Sequence, residues 1–120
     1  MPINSYRDLI VWKKSMTLIF DTYRVTSAFP KDERFGLTAQ LRRAAVSIAT
    51  NISEGHGRAT RGEFLNQLSI ARGSANEAET LLLVSQQLGF GDQSAIDKLL
   101  SELSEILRML ARMRSRLKEG

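Results

Sequence analysis

Residues 37–55 read LTAQLRRAAVSIATNISEG, and this stretch decides the fold. Leu37, Leu41, Ala44, Ala45, Ile48 and Ile52 recur at three- and four-residue steps, so on a helix they share one face. Two of these positions are alanine, and a small-residue face lets a neighbouring backbone come close. The helix is therefore expected at the centre of the molecule. Gly55 is its expected terminator, glycine being the usual residue at a left-handed position after a helix. Arg42 and Arg43 sit just off the apolar face, and the exit turn adds His56, Arg58 and Arg61.

Upstream, the chain from Tyr6 to Ala28 carries two apolar stripes. Leu9, Trp12, Met16, Ile19 and Tyr23, with Phe20 beside them, step by three and four and are expected to face the core. Val11, Leu18 and Val25 step by seven and lie roughly 140° away, at about 100° per residue. This second stripe is expected to meet another subunit, the other reading being a neighbouring helix of the same chain. Phe29-Pro30 breaks the helix, since proline cannot continue it and restricts the residue before it. Asp32 is the expected cap of the next segment, with Glu33 beside it at the positive end.

Downstream, Thr60-Arg61-Gly62-Glu63 has the spacing of a capping box and opens a third segment that runs to Leu88. Phe64, Leu68, Ala71, Ala75, Ala78, Leu82 and Ser85 mark its main face, and Ile70, Leu81, Val84 and Leu88 a second one. Gly73, followed by Ser74 and Ala75, is read as a point of close helix packing, or else of a slight bend. Gly89 suits the position after a helix and Asp92 an N-cap. A fourth segment, 93–118, holds the heptad Ile96, Leu99, Leu103, Ile106, Leu110, Met113 and Leu117, a period that fits near-parallel packing. No segment alternates with period two. The expected fold is all-α, an antiparallel up-down-up-down four-helix bundle forming one domain over residues 1–120.

Composition narrows the function classes. The chain has no cysteine, which removes disulfides, thiolate chemistry and the usual structural zinc sites and fits a cytoplasmic location. The N-terminus lacks a signal-peptide pattern, and no apolar run approaches the ~20 residues needed to span a bilayer, so no membrane partner is expected. Net charge is +4, unevenly spread. Residues 1–72 hold 11 Lys/Arg and six Asp/Glu, residues 73–105 one Lys and six acids, and residues 106–120 five Lys/Arg and one Glu. Such segmentation marks either a nucleic-acid surface or an acidic stretch that meets a basic one, within the bundle or between subunits.

Catalytic chemistry has little support. His56 is the single histidine and sits between two glycines, so no histidine pair can hold a metal. GHGRATRG lacks the spacing of a phosphate loop, and no Glu-x-x-His occurs. Glu54, Glu63 and Glu77 are the remaining metal-ligand candidates, and neither a metal nor a cofactor is expected. Glu77 falls among Ile70, Leu81 and Val84, where a carboxylate needs a partner. Asn51, Glu54, Arg72 and Glu77 are read as hydrogen-bonded supports for the 55–62 turn, or else as polar contacts at a subunit interface.

The arginines carry the functional reading. Arg108, Arg112 and Arg116 step by four, and Arg114 and Lys118 form a second ridge. Cations suit a helix C-terminus, but five in eleven residues exceed that need. With Arg42, Arg43, Arg58 and Arg61 they are expected to contact phosphates, which give affinity without sequence reading. No aromatic residue is interleaved with them, so base stacking is not indicated.

Several motifs together resemble one family. They are Tyr6-Arg7-Asp8-Leu9-Ile10-Val11-Trp12, Phe29-Pro30-Lys31-Asp32-Glu33, Leu37-Thr38-Ala39-Gln40-Leu41-Arg42-Arg43-Ala44-Ala45, Ser47-Ile48 with Asn51-Ile52-Ser53-Glu54-Gly55, and Ala71-Arg72-Gly73-Ser74 with Glu77. The family is that of the bacterial four-helix-bundle proteins encoded in 23S rRNA intervening sequences, related to the accessory variability protein of diversity-generating retroelements. Ala49 departs from it, where the family often has proline. The resemblance implies a ring-shaped homo-oligomer, commonly a homopentamer, with a basic surface and no known enzyme activity. For the retroelement relative it implies binding of nucleic acid and of a reverse transcriptase. The expected protein is thus a non-enzymatic oligomer that binds structured RNA or DNA. The alternative is a scaffold that docks a protein partner.

Overall fold

The computed structural model describes residues 5–119. Four helices make the molecule: α1 (Ile10–Thr26), α2 (Leu37–His56), α3 (Arg61–Gln87) and α4 (Gln93–Glu119). Short 3-10 turns, Tyr6–Asp8 and Lys31–Glu33, precede α1 and α2. Among the described residues there is no strand. Each helix packs on the next and α4 returns to α1, giving an up-down-up-down bundle of 45 × 23 × 20 Å. α2 and α3 pack most intimately. Ala44, Ala45 and Ile48 on α2 and Ala71, Ala75 and Ala78 on α3 are all buried, and so many methyl-sized side chains let the two backbones close. α2 runs unbroken through Ala49.

The turns form largely where the residues require them. The Thr60 hydroxyl accepts a hydrogen bond from the Glu63 amide at 3.1 Å and opens α3. Gly89, at φ +74°, ends the α3 region. The Asp92 carboxylate accepts from the Ser94 amide at 3.0 Å and caps α4. Asp32 does not cap α2. It lies in the separate 3-10 turn, and the Glu33 carboxylate accepts from the Leu37 amide at 3.1 Å instead.

Two glycines have roles opposite to those expected. Gly55 does not end α2; it lies buried inside it, and a Cβ there would stand 2.8 Å from both Phe64 Cδ1 and Gln67 Cβ. Gly73 faces solvent, with nothing within 4 Å of such a Cβ. The close approach near it is made by its neighbours, since the Ser74 and Ser47 hydroxyls meet at 2.9 Å.

The faces of α1 also exchange roles. Val11 and Leu18 are each 1% exposed within the single chain, so they form core and offer no surface to another subunit; Val25 is half-buried against that core. Ser15, Thr22 and Thr26 complete this face. Ser15 donates to the Val11 carbonyl at 2.8 Å and Thr26 to the Thr22 carbonyl at 2.7 Å, so these buried hydroxyls are satisfied by their own helix. Of the expected core stripe only Leu9 is buried. Trp12, Met16 and Ile19 straddle the outer seam between α1 and α2, while Phe20 and Tyr23 are 55% and 43% exposed.

Candidate nucleic-acid interface

The bundle topology sorts the arginines into two groups. Arg58 and Arg61 lie at the α2–α3 turn. Arg112 and Arg116 line a groove with Phe64 and Ile10, so they belong to the same end of the bundle. Arg114 is there too, half-buried, and its Nε has no hydrogen-bond partner among the described residues. Arg108, one turn back, donates to the Ser104 hydroxyl at 2.8 Å. Arg42 and Arg43 stand apart, lining a second concavity with Tyr23 and Arg34. Arg42 is held there: its Nε donates to the Thr26 hydroxyl at 2.8 Å, and its guanidinium lies 4.5 Å from the centre of the Tyr23 ring. Among the described residues none of these eight arginines pairs with a carboxylate.

The supporting polar set holds only in part. Asn51 donates to the Ser47 carbonyl at 2.7 Å and to the Ser47 hydroxyl at 3.0 Å, tying α2 into the serine pair that reaches α3. Glu54, Arg72 and Glu77 are exposed and do not brace the turn. An exposed carboxylate is open to solvent, so Glu77 needs no protein partner. Glu54, Glu63 and Glu77 belong to no converging group of three or more acidic or histidine side chains, and none exists among the described residues.

The strongest electrostatic feature was not visible in sequence. α1 and α4 enclose a groove of about 280 Å3 lined by Lys14, Thr17, Lys98, Ser101, Glu102 and Glu105. Lys14 pairs with Glu105, whose pKa is lowered chiefly by that hydrogen bond. Asp21 pairs with Arg24 and lies 3.9 Å from Lys98 Nζ, which is 4.0 Å from Glu102. Burial, then the hydrogen bond with Asp21 and the Asp21 charge, push Glu102 up to about 7. Burial alone would raise Asp21 too, but hydrogen bonds with Glu102 and Arg24 and the charges of Lys98 and Arg24 hold it below its usual value. Oε2 of Glu102 is buried with no donor beside it. The buried, donorless oxygen and the neighbouring Asp21 charge both favour the protonated form of Glu102. Asp21 and Glu102 meet only once the α1–α4 register is known, so no local pattern could have paired them.

These features define a class: an all-α bundle with unpaired surface arginines. The chain belongs to the family of 23S rRNA-intervening sequence proteins, whose profile matches residues 7–112. It is also similar in fold to a crystal structure of a protein of unknown function from the S23 ribosomal protein family of Bacteroides thetaiotaomicron. The TM-score is 0.79 at 23% identity, over 88% of this chain and 98% of that one. No curated protein matches the sequence. Among the described residues no helix is long and apolar enough to cross a membrane.

Proposed function

We propose that this chain is a non-enzymatic, self-associating bundle that binds structured RNA or DNA through its arginines. The supporting observation is that Arg58, Arg61, Arg112 and Arg116 lie at one end of the bundle with no carboxylate paired to them among the described residues. Phosphates are the ligands such a set neutralises, and binding releases condensed counterions. Self-association, as the homopentamer the resemblance implies, uses faces other than Val11 and Leu18. Exposed Ile70 and Val84 on α3, Leu88 just after it, and Phe20 and Tyr23 on α1, supply apolar surface for it.

The test is a titration of an RNA hairpin and a DNA duplex at several salt concentrations. Affinity should fall steeply with salt, and charge reversal of Arg58, Arg61, Arg112 and Arg116 should flatten that dependence while helicity is retained. Absent or salt-insensitive binding overturns the reading. The exposed α3 stripe favours one second reading, an accessory subunit that docks a protein such as a reverse transcriptase. A nuclease-resistant stoichiometric complex would support it.

A further inference from the structure

Two ion pairs, Lys14–Glu105 and Asp21–Lys98, set the antiparallel register of α1 against α4. Extended by one step, that register places Leu9 opposite Leu110. Residues 111–119 of α4, about 14 Å of helix, therefore run on past the start of α1. On its other flank α4 keeps its neighbour. Gln86 donates to Asp97 at 2.8 Å, and the register this fixes brings the first turn of α3 level with the last turn of α4. The residues just before α1 do not continue along α4. The 3-10 turn Tyr6–Asp8 packs on α1 and α2, with Tyr6 edge-on to Trp12 at 5.2 Å.

Among the described residues, one side of this end of the bundle is consequently open. Ile96, Leu99, Leu103, Ile106 and Leu110 are fully buried, but Met113 and Leu117, the next two positions of the same heptad, are only half-buried. The opening is a groove of about 520 Å3 that includes Leu9, Ile10, Phe64, Met109, Met113 and Leu117, with Arg112 and Arg116 among its lining. Ile10 is 61% exposed at its edge. Two methionines give the floor an adaptable surface. Arg112 and Arg116, one turn apart on α4, present planar donors that match carboxylates.

We propose that this groove docks a short amphipathic helix of a partner protein, its apolar stripe replacing the missing turns beside α4 and its acidic flank meeting Arg112 and Arg116. The geometry calls for a helix because the vacancy is one helical position at the end of a bundle. Apolar residues three and four apart fit the unfinished heptad, the usual mode of helix-in-groove recognition. The two arginines select an acidic flank over a basic one. This inference does not depend on the nucleic-acid reading, although both use Arg112 and Arg116. Its decisive variants are uncharged changes to the apolar floor, which leave every phosphate contact in place.

The probe is a fluorescein-labelled helical peptide of about 16 residues, with leucines spaced four and three apart and glutamates along one flank. A scrambled peptide of identical composition is the control, and both are titrated against the full chain by anisotropy. The striped peptide should bind at least about tenfold more tightly than the scrambled one. Met113→Gln, and separately exposed Ile10→Ser, should weaken it about fivefold with the helical circular dichroism unchanged. Arg112→Gln with Arg116→Gln should remove the preference for glutamate over lysine flanks. Equal binding of the two peptides, or indifference to Met113→Gln and Ile10→Ser in folded protein, overturns the proposal. So does a loss of self-association in those two variants by sedimentation, which would give the groove to a second copy of this chain.

Discussion

α2 against α3 and α1 against α4 are both antiparallel helix pairs, and they are built from different chemistry. The α2–α3 seam is lined with alanines and crossed by the hydroxyl pair Ser47–Ser74. The α1–α4 seam is crossed by lysines and carboxylates, one of which holds its proton to about 7. Closeness comes from small volume in the first pair. In the second, charged pairs mark the register. The first should answer to added methyl groups and the second to pH.

The largest effect is expected where the first seam is filled. Ala75→Leu adds volume to a fully buried position between two close backbones and should destabilise by about 3 kcal/mol or more, read as a lower urea midpoint. A shift of less than about 0.5 kcal/mol would mean the seam is loose. Next, Gly55→Ala drives a Cβ onto Phe64 and Gln67 and should cost about 2 kcal/mol. Its control is solvent-facing Gly73→Ala, which should instead stabilise by about 1 kcal/mol through helix propensity alone. Equal responses from the two glycines would break the contrast drawn here.

A comparably small effect belongs to the second seam. Glu102 in the folded chain keeps its proton up to about 7, whereas an unfolded glutamate loses it near 4.3. Between those values the folded state binds more protons. The stabilising contribution is therefore complete below about pH 4.3 and lost as pH rises through about 7. The full difference is equivalent to about 3–4 kcal/mol, and with the side chain still 22% exposed, screening leaves about 1–2 kcal/mol. Asp21, lowered rather than raised, works in the opposite sense and only below its ordinary range. Urea midpoints measured from pH 4 to 8 should decline in the wild type, and Glu102→Gln should flatten the decline. A profile that is flat in both would remove the raised Glu102 pKa.

Helical arithmetic placed all four helices, and it also named the inner face of α2, α3 and α4, because each buries one plainly apolar stripe. It missed the inner face of α1 because Ser15, Thr22 and Thr26 lie there behind polar names, the Ser15 and Thr26 hydroxyls being turned back on carbonyls of their own helix. The glycines were readable by the same arithmetic. Gly55 follows Ile52 by three residues and so continues the buried stripe, while Gly73 falls opposite Ala71, Ala75 and Ala78. Chain punctuation suggested a cap where the face pointed to a contact. The basic residues were legible as a set, but not as two groups. Their sorting depends on which ends of which helices come together, and the Asp21–Glu102 meeting depends on register between segments about eighty residues apart.

That distance gives the α1–α4 contact a further significance. Among the described residues it is the one helix pair in contact that is not consecutive along the chain. Every other pairing is a hairpin that closes a short loop cheaply, whereas this one carries the entropic cost of closing the whole circuit. In folding it is the natural last event, and in the native state the natural first one to reverse. Amide protons of α1 should then exchange through openings that leave the α2–α3 hairpin intact. The Lys14–Glu105 and Asp21–Lys98 pairs that cross the seam are contacts such an opening breaks.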